Sequence, residues 1–172
     1  MKHHIVFLSM GFGAAALCVP AAVTMPVAIV YNASDSVPRG WYRIGRIADA
    51  DSLRVGSIVL ARLPADAALL AAQRGYLPSS VPILKRIGAV APQSVCVWDR
   101  IVAIDGAMLA TARERDGLHR PLPVWSQCRP LVGDELFLLS NTNPASFDSR
   151  YFGPIAASDV LGVAWPLWTW SK

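Results

Sequence analysis

The stretch Pro82-Ile83-Leu84-Lys85-Arg86-Ile87-Gly88-Ala89-Val90 reads as a β-strand, because apolar residues recur along it and a proline bounds it. A strand's period of two puts Lys85 on one face with Ile83 and Ile87, and Arg86 on the other with Leu84. Outward from it, similar short runs bounded by turn residues recur at 41–47, 57–63, 94–98, 101–104, 107–112, 135–140 and 160–170. Asp105-Gly106 falls between two of these runs and is a two-residue hairpin signal. Residues 65–74 (Ala-Asp-Ala-Ala-Leu-Leu-Ala-Ala-Gln-Arg), stopped by Gly75, form the one clear helical pattern. The expected domain is mainly β with one short helix, and 13 Pro and 12 Gly argue against a helical bundle.

Upstream, residues 5–30 run for 26 positions without a formal charge. About 20 apolar residues cross a bilayer core, so residues 1–30 read as an N-terminal transmembrane anchor and residues 31–172 as one domain. The rival reading, a cleaved signal peptide, lacks a clean Ala-x-Ala site, and the apolar run continues past Pro20. The whole chain of 172 residues is 53% hydrophobic and 16% charged, with a mean hydropathy of +0.38, which excludes a disordered protein. Its net charge of +4 comes from interspersed residues, so no basic stripe marks a nucleic-acid face.

Arg39, Arg43 and Arg46 follow the apolar segment and only Lys2 precedes it, so the positive-inside count alone would keep the domain in the cytoplasm. Long domains cross largely regardless of charge, and the cysteines point outward. Cys96 and Cys128, the two thiols of the domain, sit beside strand-like residues as expected of a disulfide in an oxidising compartment; two buried free thiols are the alternative. With Cys18 in the apolar segment and His119 the one domain histidine, a zinc site is not expected. The charged loop 113–123 reads as a surface excursion stapled by such a disulfide. Trp165, Trp168 and Trp170 read as core, with a membrane interface as the alternative.

The chain has thirteen Arg and three Lys, and Lys2 and Lys172 lie at its ends. Lys85 is therefore the one internal lysine. Arginine stays protonated in proteins, whereas a desolvated lysine gives up its proton, so a lysine on an inward strand face suits a general base. At an ordinary pKa about one amine in 2,500 is neutral at pH 7, and burial can bring a catalytic lysine to roughly 7 to 8. A lysine snorkelling to solvent is the plainer reading of position 85 alone. Asn32-Ala33-Ser34-Asp35-Ser36-Val37-Pro38-Arg39-Gly40-Trp41-Tyr42 offers two hydroxyls in a restricted turn, the parts of a nucleophile and an oxyanion site. Residues 140–154 are equally polar. There Ser146 can orient an amine and Asp148 can pair with Arg150, the alternative being a solvated loop with a surface ion pair.

These clusters, in this order after an apolar segment, resemble the serine-lysine signal peptidase superfamily, specifically its conjugal-transfer branch of TraF-type peptidases. Residues 32–42 are similar to the nucleophile box N-x-[ST]-x-S-x-P-x-G-x-Y, Leu84-Lys85-Arg86-Ile87 to the general-base box, and residues 146–153 to S-x-D-S-R-Y-x-G. The likeness covers nearly the whole chain apart from residues 65–82. It implies a signal-peptidase-like β domain with Ser36 as nucleophile, Lys85 as general base, Ser34 as an oxyanion hydroxyl and Ser146 orienting the lysine. Asp148 and Arg150 would support the site. It further implies a bacterial inner-membrane protein with its domain in the periplasm, a pilin or secreted precursor polypeptide as substrate, and no metal or organic cofactor. Cleavage and acyl transfer to an amine, as in pilin cyclisation, both remain open. Val37 stands where the housekeeping signal peptidases carry Met, which favours the conjugal branch. A non-catalytic, membrane-anchored β scaffold of a conjugation or secretion apparatus is the competing function, and it makes no demand on Lys85.

Overall fold

The computed structural model describes residues 28–47, 52–140 and 142–170. The expected membrane helix falls on residues 1–30 and lies outside the described residues up to residue 27. Among the described residues eleven strands and two α-helices follow in order: β1 (Ala28–Asn32), β2 (Arg39–Gly45), β3 (Ile58–Ala61), α1 (Ala65–Gln73), β4 (Ile83–Val90), β5 (Ser94–Trp98), β6 (Ile101–Ile104), β7 (Ala107–Thr111), β8 (Cys128–Pro130), β9 (Glu135–Leu138), the single-turn α2 (Ser149–Phe152), β10 (Ile155–Ala156) and β11 (Val160–Trp170), with a 3-10 turn at Ala157–Asp159 before β11. The mainly β expectation is met. Strand β1 begins inside the apolar run, three residues before the boundary drawn from sequence.

The strands form two antiparallel sheets, β1-β2-β11-β3-β4-β9-β10 and β7-β6-β5-β8. Asp105 and Gly106 take φ of 50° and 83° in the two-residue turn between β6 and β7, the positive values such a turn needs. In the first sheet β4 pairs with β3 over Ile83 to Arg86, and with β9 only from Ile87 onward. The first half of β4 therefore keeps one edge free of β9, and the candidate site forms there.

Alternation along β4 divides its side chains between two cores. Ile87 packs with Val59, Leu136 and Leu138, and Ile83 lies against that cluster. Leu84 packs on the opposite face with Val37, Tyr42 and Ile44. A third cluster of Val95, Val97, Val102 and Ile104 with Phe137 and Leu139 ties the second sheet to the end of the first. Each such fully buried side chain contributes roughly 1.5–3 kcal/mol through loss of apolar surface to water. Cys96 and Cys128 face each other across β5 and β8 and are joined as a disulfide, which closes the chain around residues 97–127.

The tryptophans correct the sequence reading. Trp165, Trp168 and Trp170 do not enter the core; Trp168 is 74% exposed. A register shift between Pro166 and Trp168 interrupts the alternation that seemed to bury them. Instead the outer face of β1, β2 and β11 carries cross-strand rows: Ile29, Arg43 and Trp165 in one, Tyr31, Trp41 and Trp168 in the next. Arg43 lies over the Trp165 ring, and Tyr31 packs against Trp41 and Trp170.

Candidate active site

The turn after β1 is built around Asn32. Its side-chain amide donates to the carbonyls of Ser34, Val37 and Pro38, and its Oδ1 accepts from the Ser34 N–H and hydroxyl. This is an Asx-type organisation that holds a polar turn without secondary structure. It presents Ser34 Oγ 2.8 Å from Ser36 Oγ, and Ser36 Oγ donates at 3.2 Å to the carbonyl of Leu84. Ser140 Oγ donates to the Ser36 carbonyl at 2.9 Å, fixing the nucleophile turn from the other side.

Lys85 follows Leu84 directly. Its side chain lies on the Ile83/Ile87 face, its strand partner is Val59, and the residue is 5% exposed. Desolvation lowers its pKa to about 8; the charge of Asp148 opposes that shift and the charge of Arg150 adds to it. Nζ donates to Ser146 Oγ at 2.5 Å. Ser146 Oγ is the one hydrogen-bond partner of Nζ among the described residues. When the neutral amine donates to Ser146, its lone pair stays available to the cleft. Ser36 and Lys85 line that cleft together, but each is bonded to a different neighbour and no direct hydrogen bond joins them. Such contacts commonly tighten only with substrate bound.

Asp148 and Arg150 form a bidentate pair (Nε to Oδ1 2.7 Å, Nη2 to Oδ2 2.8 Å) with both side chains out of contact with water. Sequence left a solvated surface pair open; the pair is a buried hub instead. Asp148 also accepts from the N–H groups of Ser140 and Arg150, and caps α2. Arg150 donates to the carbonyls of Ser146, Pro144 and Thr111. Burial alone would lower the Arg150 pKa, but the bonds and charge of Asp148 outweigh it and raise the value. The hub thus fixes the backbone of Ser146, which receives the lysine.

The cleft, of about 750 Å³, runs between residues 30–34 and the open edge of β4. Its far wall comes from Leu63 and Ala71 near α1, from Tyr76 and Leu77, and from loop 113–122, which is more than the stapled excursion expected. All six sequence-chosen site residues, Ser34, Ser36, Lys85, Ser146, Asp148 and Arg150, converge on this region. Asn32 and Ser140 were quoted within the motifs without a role; the Asn preceding a Ser-rich turn was the available signal for the first. Tyr76 and Asp116 carried no sequence signal. Among the described residues no three His, Cys, Asp or Glu are arranged to hold a metal ion.

A β domain with a serine turn facing a buried lysine defines a signal-peptidase-like protein. The family model for "Signal peptidase, peptidase S26" matches residues 1–169, and the chain belongs to that family. Its relatives include a plasmid transfer protein TraF of Escherichia coli, 28% identical over 183 residues and 95% of each chain, and a probable conjugal transfer protein TraF of Sinorhizobium fredii. The latter is 35% identical over 149 residues, 81% of this chain and 77% of the relative. A signal peptidase I of Enterococcus faecalis V583 superposes with a TM-score of 0.40 at 18% identity, over 64% of this chain and 94% of its own.

Proposed function

We propose that this TraF-type protein is a serine endopeptidase that uses a Ser36–Lys85 dyad to process a pilin or secreted precursor in conjugative transfer. The observation that carries the reading is the buried amine of Lys85, held by Ser146 in the cleft that also contains Ser36. Neutral Lys85 takes the proton from Ser36 Oγ as that oxygen bonds to the substrate carbonyl carbon. The oxyanion accepts from the Ser36 N–H and from Ser34 Oγ, whose proton otherwise goes to Asn32 or Ser36. Lys85 returns the proton to the leaving nitrogen, the C–N bond breaks, and an acyl-Ser36 ester remains. Water deprotonated by Lys85 then gives cleavage; a substrate amine gives a transpeptidated or cyclised product. The open edge of β4 and the free side of β1 support an extended substrate that pairs as a strand.

The same reading places the domain in the periplasm beside the inner membrane. The exposed Trp and Tyr rows, with Arg43 among them and following the apolar run in sequence, support the nearness to a membrane in that placement, since aromatic residues favour both bilayer interfaces. To test the function, wild-type, Ser36→Ala and Lys85→Arg proteins are incubated with a candidate pilin precursor and product masses are read. Loss in both variants is expected, because Arg keeps the charge but is no base. Cleavage products sum to the precursor plus one water, whereas a cyclised product lacks the leaving peptide and gains none. Full processing by either variant would remove the mechanism, and an unchanged precursor with the wild-type protein would leave the scaffold reading.

A further inference from the structure

The wall of the cleft formed by Tyr76 and loop 113–122 is fastened by a polar cluster that the dyad chemistry does not use. Asp116 is 6% exposed at its side chain and accepts four hydrogen bonds: from Tyr76 Oη at 2.5 Å, from Arg120 Nε at 2.7 Å, and from the N–H groups of Leu118 and Arg120 at 2.9 Å. Arg74, at the end of α1, lies 3.7 Å from the same carboxylate and donates to the Pro121 carbonyl, while Arg120 donates back to the Arg74 carbonyl. The Arg120 guanidinium covers the Tyr76 ring. These bonds lock loop 113–122 to the end of the helix. Burial opposes ionisation of Asp116, but Tyr76 and Arg120 outweigh it and hold its carboxyl far below the usual range.

The cluster is physically connected to the lysine. The Tyr76 ring packs on Phe147 with centroids 5.7 Å apart, and Phe147 is the residue after Ser146. Phe147 also stacks on Tyr151, whose hydroxyl accepts from the Arg113 N–H at the root of the same loop. The loop therefore reaches the Ser146–Phe147 segment at two points, through Tyr76 and through Tyr151.

We propose that Asp116 and Tyr76 form a latch which closes loop 113–122 over the cleft and thereby holds Phe147, and with it Ser146, against Lys85; both are positioning residues of the site. The inference rests on the Ser36–Lys85 reading for its catalytic consequence, but not for its structural one. With the latch open, Phe147 is freed and water reaches Nζ while the Asp148–Arg150 hub still holds the Ser146 backbone, so the amine becomes easier to protonate. The charged groups facing Lys85 from the 140–153 segment are Asp148 and Arg150, and the latch variants leave both in place. Arg113 and Arg115 line the cleft from the loop itself and move with it.

The chain has only three lysines, so ¹³C-lysine labelling of the full protein gives three resolvable titrations. Asp116→Asn is expected to move the Lys85 midpoint up by about one pH unit, and Tyr76→Phe, which keeps the ring on Phe147, by less. Glu135→Gln, which weakens the Arg129 pair on the second sheet, should leave it unchanged. Precursor processing by Asp116→Asn should fall about tenfold in kcat near pH 7 and recover at pH 10, a rescue that general loosening of the fold would not give. An unmoved midpoint in both latch variants, or an equal shift in Glu135→Gln, would overturn the proposal. The titration judges the latch whether or not Ser36→Ala abolishes processing, so the two readings fail separately.

Discussion

Two Asp–Arg pairs, one in the serine turn and one beneath the Ser146 loop, are made of the same groups in the same bidentate geometry. Asp35–Arg39 has Nε 2.6 Å from Oδ1, with side chains 44% and 35% exposed; Asp148–Arg150 has 2.7 Å, with 0% and 1%. In water the first pair trades solvation for contact almost evenly. The second has no water to return to, and its surplus donors reach the carbonyls that shape the Ser146 loop. The two pairs share residue types though not spacing, four residues apart in one and two in the other; burial decides which one builds the site.

Breaking the buried pair should have the largest effect. Asp148→Ala strands an unpaired guanidinium and is expected to cost about 3–5 kcal/mol in denaturant unfolding, with loss of processing. Next comes Lys85, whose folded pKa of about 8 lies below its unfolded value of 10.5. Between these values the unfolded chain binds more protons, so stability rises with pH. The contribution is complete above 10.5 and lost as pH falls through 8, a span worth about 3 kcal/mol at 1.36 kcal/mol per unit. Unfolding of Lys85→Met should lack that alkaline rise. Smaller again is Gly153→Ala, at the residue that ends α2: φ is 83° and a Cβ would lie 2.6 Å from the Trp125 ring, so a loss of about 2 kcal/mol is expected by thermal unfolding. Asp35→Asn should leave the unfolding midpoint where it was. A measurable drop there would erase the contrast between the pairs.

The short apolar runs bounded by turn residues were legible: 83–90, 94–98, 101–104 and 160–170 match the observed limits. What was not legible has specific causes. β1 is hidden because its residues continue the apolar composition of the segment before it. β8 is three residues with a proline, held by its cysteine partner rather than by propensity. The α2 turn forms because Asp148 caps it, inside a stretch whose composition reads as loop. The tryptophans were misplaced because an irregular register is invisible in spacing. At the site, motif residues were legible because their chemistry is particular. Asp116 and Tyr76 are 40 residues apart and meet only through tertiary packing.

The central claim is an amine at position 85 that gives up its proton near pH 8, well below the ordinary lysine range. NMR titration of the labelled wild-type chain, following the lysine Cε signals, measures it directly. One midpoint near 8, abolished in Lys85→Arg, is the predicted result; three midpoints all above 10 would contradict the account.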